Sequence, residues 1–137
     1  MSERMPSVEA NTCGALVSRY LEAMQTADLE GVRAVTEPGA RLEYPGPVAF
    51  TDPAEVLSWA SGRHQWVRHT VERCDVVPEQ AETVAYAVGT LRGVWKNGSP
   101  FSDVRFIYQF RIRGTNIVEA RLWSDVAEVL RRAATTK

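Results

Sequence analysis

Cysteine and histidine are scarce in this chain of 137 residues, which has two of each. Cys13 and Cys74 lie far apart and belong to no metal-spaced set. They form either one disulfide or two reduced core thiols, and the second reading suits a cytoplasmic protein. His64 and His69 make no zinc-type pattern. Glycine-rich phosphate loops, nucleophile elbows and redox CxxC pairs are missing too. No metal and no cofactor is therefore expected. No uncharged apolar run approaches the roughly 20 residues that cross a bilayer, so no membrane partner is expected. The opening Met1-Ser2-Glu3-Arg4-Met5-Pro6 has no apolar signal core, which points to the cytoplasm.

Charge of one sign is lacking as well: the formal net charge is −1. Residues 1–70 hold nine acidic and six basic side chains, and residues 71–137 hold eight and ten. Neither half carries the field that a nucleic-acid binder needs. With strong local motifs absent, function has to come from residues that the fold brings together.

What is present is ordinary globular material, 45% hydrophobic and 24% charged. The length suits one domain over residues 1–137, with an ordered core at about 8–132 and frayed ends in the N-terminal tail and from Ala133 to Lys137. Cys13, Leu16, Val17, Tyr20, Leu21 and Met24 form one apolar helical stripe, and Ser18, Arg19, Glu22 and Gln25 fall on the other side. Asp28 caps a short second helix through Val32 and Val35, which Pro38-Gly39 stops. Arg41 to Tyr44 reads as a short strand ended by Pro45-Gly46-Pro47. Asp52-Pro53-Ala54-Glu55 starts a third helix that runs to Ser61, with Gly62 at its end.

Strand signals then take over. Trp66 to Val77, Thr83 to Trp95, Ser102 to Arg113 and Ile117 to Trp123 read as four antiparallel strands. Lys96-Asn97-Gly98-Ser99 and Gly114-Thr115-Asn116 are turns. Along the third of these strands Val104, Phe106, Tyr108, Phe110 and Ile112 share one face. Arg105, Ile107, Gln109, Arg111 and Arg113 share the other. Asp125 to Arg132 reads as a short last helix. Helices first and strands later predict an α+β fold in which helices cover a sheet and enclose an apolar pocket.

Three stretches resemble the nuclear-transport-factor-2-like superfamily, above all its branch of ketosteroid isomerases and SnoaL-like polyketide cyclases. They are Arg19 to Met24 leading into Ala27 to Val32, then Ala40 to Pro45, then Ile117 to Asp125. The resemblance implies a cone-shaped, cystatin-like roll with helices on a curved antiparallel sheet, and homodimers formed through the outer sheet face. It also implies that Tyr20 occupies the position of the isomerases' oxyanion-hole tyrosine. A buried phenol there donates to a developing enolate. The isomerases' general-base aspartate corresponds to Tyr44, whose phenol, with an ordinary pKa near 10, is a poor base. Their protonated aspartic acid corresponds to Phe106, which donates nothing. Two of three working groups are thus replaced, which argues against the familiar steroid isomerisation.

Several residues have two readings. Tyr20 is a core phenol bonded to backbone or a pocket donor, and Tyr44 is a pocket donor or a rim residue. Trp123 matches a pocket aromatic of the isomerases or is ordinary core, and Trp59 resembles the aromatic at the pocket mouth of relatives. Met24, Tyr86, Phe106 and Tyr108 complete the expected ligand-binding wall, with Trp66 and Phe101 as further aromatic surface. His64 and His69 titrate near neutrality and are the candidates for a general base, against a structural reading. Asp103 and Arg105 resemble an Asp/Arg arrangement of limonene-epoxide hydrolases, but strand alternation sends both to the outer face. The expected function is an isomerase- or cyclase-type enzyme acting on an apolar polycyclic or polyketide-like carbonyl compound, with Tyr20 and Tyr44 as its catalytic residues. The alternative is a non-catalytic module that binds an apolar small ligand.

Overall fold

The computed structural model describes residues 8–135. Its elements run α1 (Val8–Gln25), α2 (Leu29–Val35), β1 (Thr36–Tyr44), β2 (Val48–Phe50), α3 (Pro53–Ser61), β3 (His64–Pro78), β4 (Thr83–Trp95), β5 (Pro100–Arg113), β6 (Asn116–Ser124) and α4 (Val126–Thr135). The expected frayed tail at residues 1–7 and the final residues 136–137 lie outside the described residues. Ala133 to Thr135, read as frayed, continue α4.

Local chemistry sets the helix starts. The Asp28 carboxylate accepts the Gly31 amide at 3.0 Å, and the Asp52 carboxylate accepts the Ala54 amide at 3.0 Å. Each bond satisfies a donor that the first helical turn leaves open. Pro53 follows Asp52 at the first helical position, where its missing N–H costs nothing.

One six-stranded sheet has the order β2-β1-β6-β5-β4-β3. The expected antiparallel sheet is corrected to a mixed one, because β1 pairs with β6 in parallel. Two proline–glycine stretches hid this edge. Pro38-Gly39 does not stop α2, which already ends at Val35; it sits inside β1, where the pairing with β6 slips between Thr36 and Arg41. Pro45-Gly46-Pro47 does not end the sheet either. It turns the chain into β2, which pairs back with Tyr44 opposite Val48.

The helices cover one face. Leu16, Val17, Tyr20 and Leu21 of α1 are buried against that face, and so are Val104, Phe106, Tyr108, Phe110 and Ile112 of β5. Burial of each large apolar side chain contributes about 1.5–3 kcal/mol. The alternation expected along β5 holds, with one interruption. Opposite β4 the register slips between Val104 and Phe101, and Asp103 adopts a left-handed φ of 59°. The extra residue lets both Phe101 and Val104 face inward. Asp103 and Arg105 stay exposed as expected, and Arg105 pairs with Asp125 at 2.6 Å.

β3 lies unusually close over β4 at two glycines. A methyl on Gly89 would sit 1.9 Å from the Thr70 carbonyl oxygen, and one on Gly93 would sit 2.3 Å from that of Trp66. Both points adjoin slips in the β3–β4 register, at Val71/Arg73 and His64/Trp66. Only glycine permits this approach, and it brings β3 inward. Gly89→Ala is expected to destabilise the protein by about 3 kcal/mol, because the obstacle is backbone and cannot move aside. Urea unfolding would measure this. A loss under about 0.5 kcal/mol would show that the contact is not a constraint.

Candidate functional site

Behind the inner face three phenols meet. The Tyr20 and Tyr44 hydroxyl oxygens are 2.6 Å apart, and the Tyr108 hydroxyl donates to that of Tyr44 at 3.0 Å. The sequence positions them simply: Tyr20 lies on the apolar stripe of α1, Tyr44 ends β1 and Tyr108 faces inward from β5. All three are at most 3% exposed. Burial raises the pKa of each above its ordinary value. All therefore remain protonated at any working pH.

Three protons and two hydrogen bonds leave one proton over. If Tyr44 donated to Tyr20, the Tyr20 proton would be stranded in the core, at a cost of about 1–3 kcal/mol. The favoured arrangement has Tyr20 and Tyr108 both donating to Tyr44. Tyr44 then directs its own proton into the adjoining cleft, which Tyr44 and Tyr108 line and Tyr20 does not. Accepting two hydrogen bonds makes Tyr44 a stronger donor.

The cleft has an empty volume of about 630 Å³, part of it open to solvent. Its enclosed part is only about 70 Å³, below the roughly 300–1,000 Å³ of most small-molecule sites, so a larger ligand would extend through the open mouth. Its wall is largely apolar, and Met24, Trp59, Val67, Leu91, Trp95 and Phe101 contribute to it. Trp95 and Phe101 stack with centroids 4.3 Å apart, while Trp59 leans on Tyr44 at 5.4 Å. Among the described residues, no carboxylate lines this cleft.

The ionisable groups on the wall are Arg63, His64 and His69, besides the phenols. Gln25 of α1 orients His69. Its side-chain oxygen accepts the His69 backbone N–H and lies 2.9 Å from the ring Nδ1. An amide oxygen cannot donate, so Nδ1 carries the proton and Nε2 keeps its lone pair. Burial, with a smaller contribution from His64, lowers the His69 pKa to about 4. His64 is likewise down to about 4, from burial and then from Arg63. Both rings are neutral at pH 7. Near the phenols, the cleft thus offers a neutral O–H donor and a neutral imidazole acceptor on one apolar wall.

Of the residues expected at the site, Met24, Tyr44, Trp59 and Tyr108 line the cleft. Tyr20 stands behind Tyr44. Phe106 faces inward but does not line the cleft; it backs the His69 ring edge-on at 5.6 Å. Besides Phe106, two more expected ligand-binding residues are corrected. Tyr86 points to the opposite face of the sheet, where its hydroxyl accepts from Gln109 at 3.0 Å. Trp123 is 47% exposed on that same outer face, beneath the Arg121 guanidinium at 4.8 Å. Pairing places Tyr86 opposite Gln109 and Trp123 opposite Ile107, both outward residues of β5. Trp66 is also exposed, with the Arg68 and Arg92 guanidinium groups at 5.5 and 5.7 Å. Gln25, read as a solvent-facing residue, is the partner of His69. Arg63 and Ser124 were not anticipated, since neither belongs to a periodic pattern that marks a wall.

No protein-family model matches the sequence, and no curated protein matches it either. Solved structures do. An NTF2-like protein of unknown function from Burkholderia pseudomallei is 21% identical, aligns over 88% of this chain and 95% of its own, and has a TM-score of 0.70. IdmH of Streptomyces antibioticus, a proposed polyketide cyclase, is 21% identical over 88% of this chain and 97% of its own, with a TM-score of 0.64. A proposed SnoaL-like polyketide cyclase from a Jannaschia species is 19% identical over 95% of both chains, with a TM-score of 0.68. These likenesses establish the fold as NTF2-like.

The histidine environment has a measurable consequence. The folded chain refuses a proton that the unfolded chain takes up below its ordinary pKa of 6.5. Stability is therefore expected to fall as pH drops from 6.5 toward 4, by about 1–2 kcal/mol between pH 7 and pH 5 for His69. Urea unfolding at the two pH values should show this loss together with a further part from His64, and His69→Gln should remove the His69 part while leaving that of His64. An unchanged pH dependence in the variant would show that His69 titrates normally in the folded state.

Proposed function

We propose that the protein is a cyclase-type enzyme that closes a ring in an apolar, polyketide-like carbonyl compound. One observation carries this reading: the cleft lined by the Tyr44 hydroxyl is also lined by a neutral His69 whose Nε2 is free to accept. His69 takes the proton from a carbon flanked by two carbonyls. Its electron pair moves onto oxygen as an enolate, and the enolate carbon attacks a second carbonyl of the same molecule. The new C–C bond leaves an alkoxide, which accepts the Tyr44 hydrogen bond. The His69 imidazolium returns its proton, and loss of water completes the ring. A conjugate acid near pKa 4 makes His69 a weak base, which suits an activated methylene rather than a simple ketone. The apolar wall adds to this by holding a folded conformer away from water. Tyr20 acts through Tyr44 and is a positioning residue.

The NTF2-like neighbours that are proposed polyketide cyclases support the reaction class. TerC, 12% identical and co-crystallised with polyporic acid, supports a small-molecule ligand. The proposed test uses ortho-acetonyl benzoylacetone, which closes to an acetyl methylnaphthol and water. The wild type should accelerate closure. Tyr44→Phe and His69→Gln should each lower kcat by about 100-fold, and Tyr20→Phe by less. Binding of the diketone with no turnover above buffer would make the protein a carrier instead.

We also propose that two copies pair through the outer sheet face, where Ile107 and Trp123 stand exposed. Sedimentation at micromolar concentration should give a dimer, and Trp123→Arg should shift it toward monomer. A wild-type monomer would refute the pairing.

A further inference from the structure

Arg63, like Arg68 and Arg92, lies over a tryptophan ring, but it does so on the wall of the cleft. Arg41, Arg105, Arg111, Arg113 and Arg121 each lie within ion-pair distance of a carboxylate. Arg63 has no such partner among the described residues, although it lines the cleft. Its Nε is buried and makes no hydrogen bond. The guanidinium lies over the Trp59 ring, 4.6 Å from the centroid, and its backbone is fixed by the Lys96 amide, which donates to the Arg63 carbonyl at 2.9 Å. Stacking on Trp59 holds the planar fork in place and leaves its donors unspent. A buried N–H without an acceptor is costly, and a guanidinium matches a carboxylate with two parallel hydrogen bonds.

The neighbours do not neutralise this charge. His64 is uncharged at pH 7, and its pKa is lowered in part by Arg63 itself. Ser124 also lines the cleft, and its oxygen accepts the Val126 amide at 3.4 Å, so its own proton is free to donate. This cleft therefore pairs an apolar aromatic wall with one unneutralised cation and with neutral donors.

We propose that Arg63 is the anion-recognising group of the cleft, and that the ligand is an aromatic or polyketide-like carbonyl compound bearing a carboxylate. This rests on the cleft being a small-molecule site, as proposed above, and adds the class of compound it selects. Trp59 and Trp95 embrace the ring system, Tyr44 meets a carbonyl, and Arg63 holds the carboxylate. Arg63 contributes to binding and orientation, not to proton transfer.

A matched pair of probes tests this: 2-naphthoate and its methyl ester, titrated calorimetrically into the full-length protein at pH 7. The wild type is expected to bind the naphthoate about tenfold more tightly than the ester. Arg63→Met keeps an aliphatic stem over Trp59 and should abolish that preference while leaving ester affinity within about twofold of the parent. Arg63→Lys should keep part of the preference, since the charge remains but the fork is lost. Equal affinities in the wild type, or a preference that survives in Arg63→Met, would overturn the role of Arg63 and leave the cleft reading standing. If neither probe binds the wild type, the cleft reading itself fails.

Discussion

The close passage of β3 over β4 is the constraint on which the site depends. At Gly89 and Gly93 the two backbones approach to a distance that excludes any side chain. The inner face of β4 is lined elsewhere by Ala85 and Ala87, which leave room for α1 and the large residues of β5. Drawing β3 inward carries His64, Val67 and His69 toward the phenols of β1 and β5. Gln25 then ties α1 to β3 through two bonds to one residue, His69. Backbone geometry, not a local motif, thus assembles donor and acceptor around one hollow.

Polarity is divided between the two faces of the sheet. The outer face carries crossed ion pairs, such as Arg121 with Glu43 at 2.6 Å and Arg113 with Glu82 at 2.8 Å. These pairs are partly exposed and screened by solvent, so they add little stability. Their service is solubility and register more than stability. The inner face keeps its polar groups uncharged, with the exception of Arg63. In a poorly hydrated hollow, neutral groups cost little before a ligand arrives. A single cation at the α3–β3 junction therefore dominates the local potential.

Much of this was legible in the sequence, and the failures have physical causes. Period-two alternation identified the inward face of β5, and the Asp28 and Asp52 caps fixed two helix starts. The β1–β2 edge was hidden because proline and glycine served as a bulge and a turn inside the sheet. Phe101 turns inward through a left-handed Asp103, which no apolar pattern announces. Tyr86 and Trp123 were placed at the wall by their aromatic character and by resemblance. Their cross-strand partners, Gln109 and Ile107, are outward residues of a strand whose faces were already readable. His69 depended on a contact with Gln25, 44 positions away, and Arg63 on the turn from α3 into β3 that sets it over Trp59.

The phenol trio has two members on the cleft wall, Tyr44 and Tyr108, and one, Tyr20, behind it. The Tyr44 hydroxyl fixes where a ligand oxygen is met, whereas the concealed Tyr20 behind it bears on how firmly it is gripped. Position and strength are thus separate dials. A lineage of such proteins can retune its grip on a substrate from the rear of the wall, with the contour that the substrate meets left untouched.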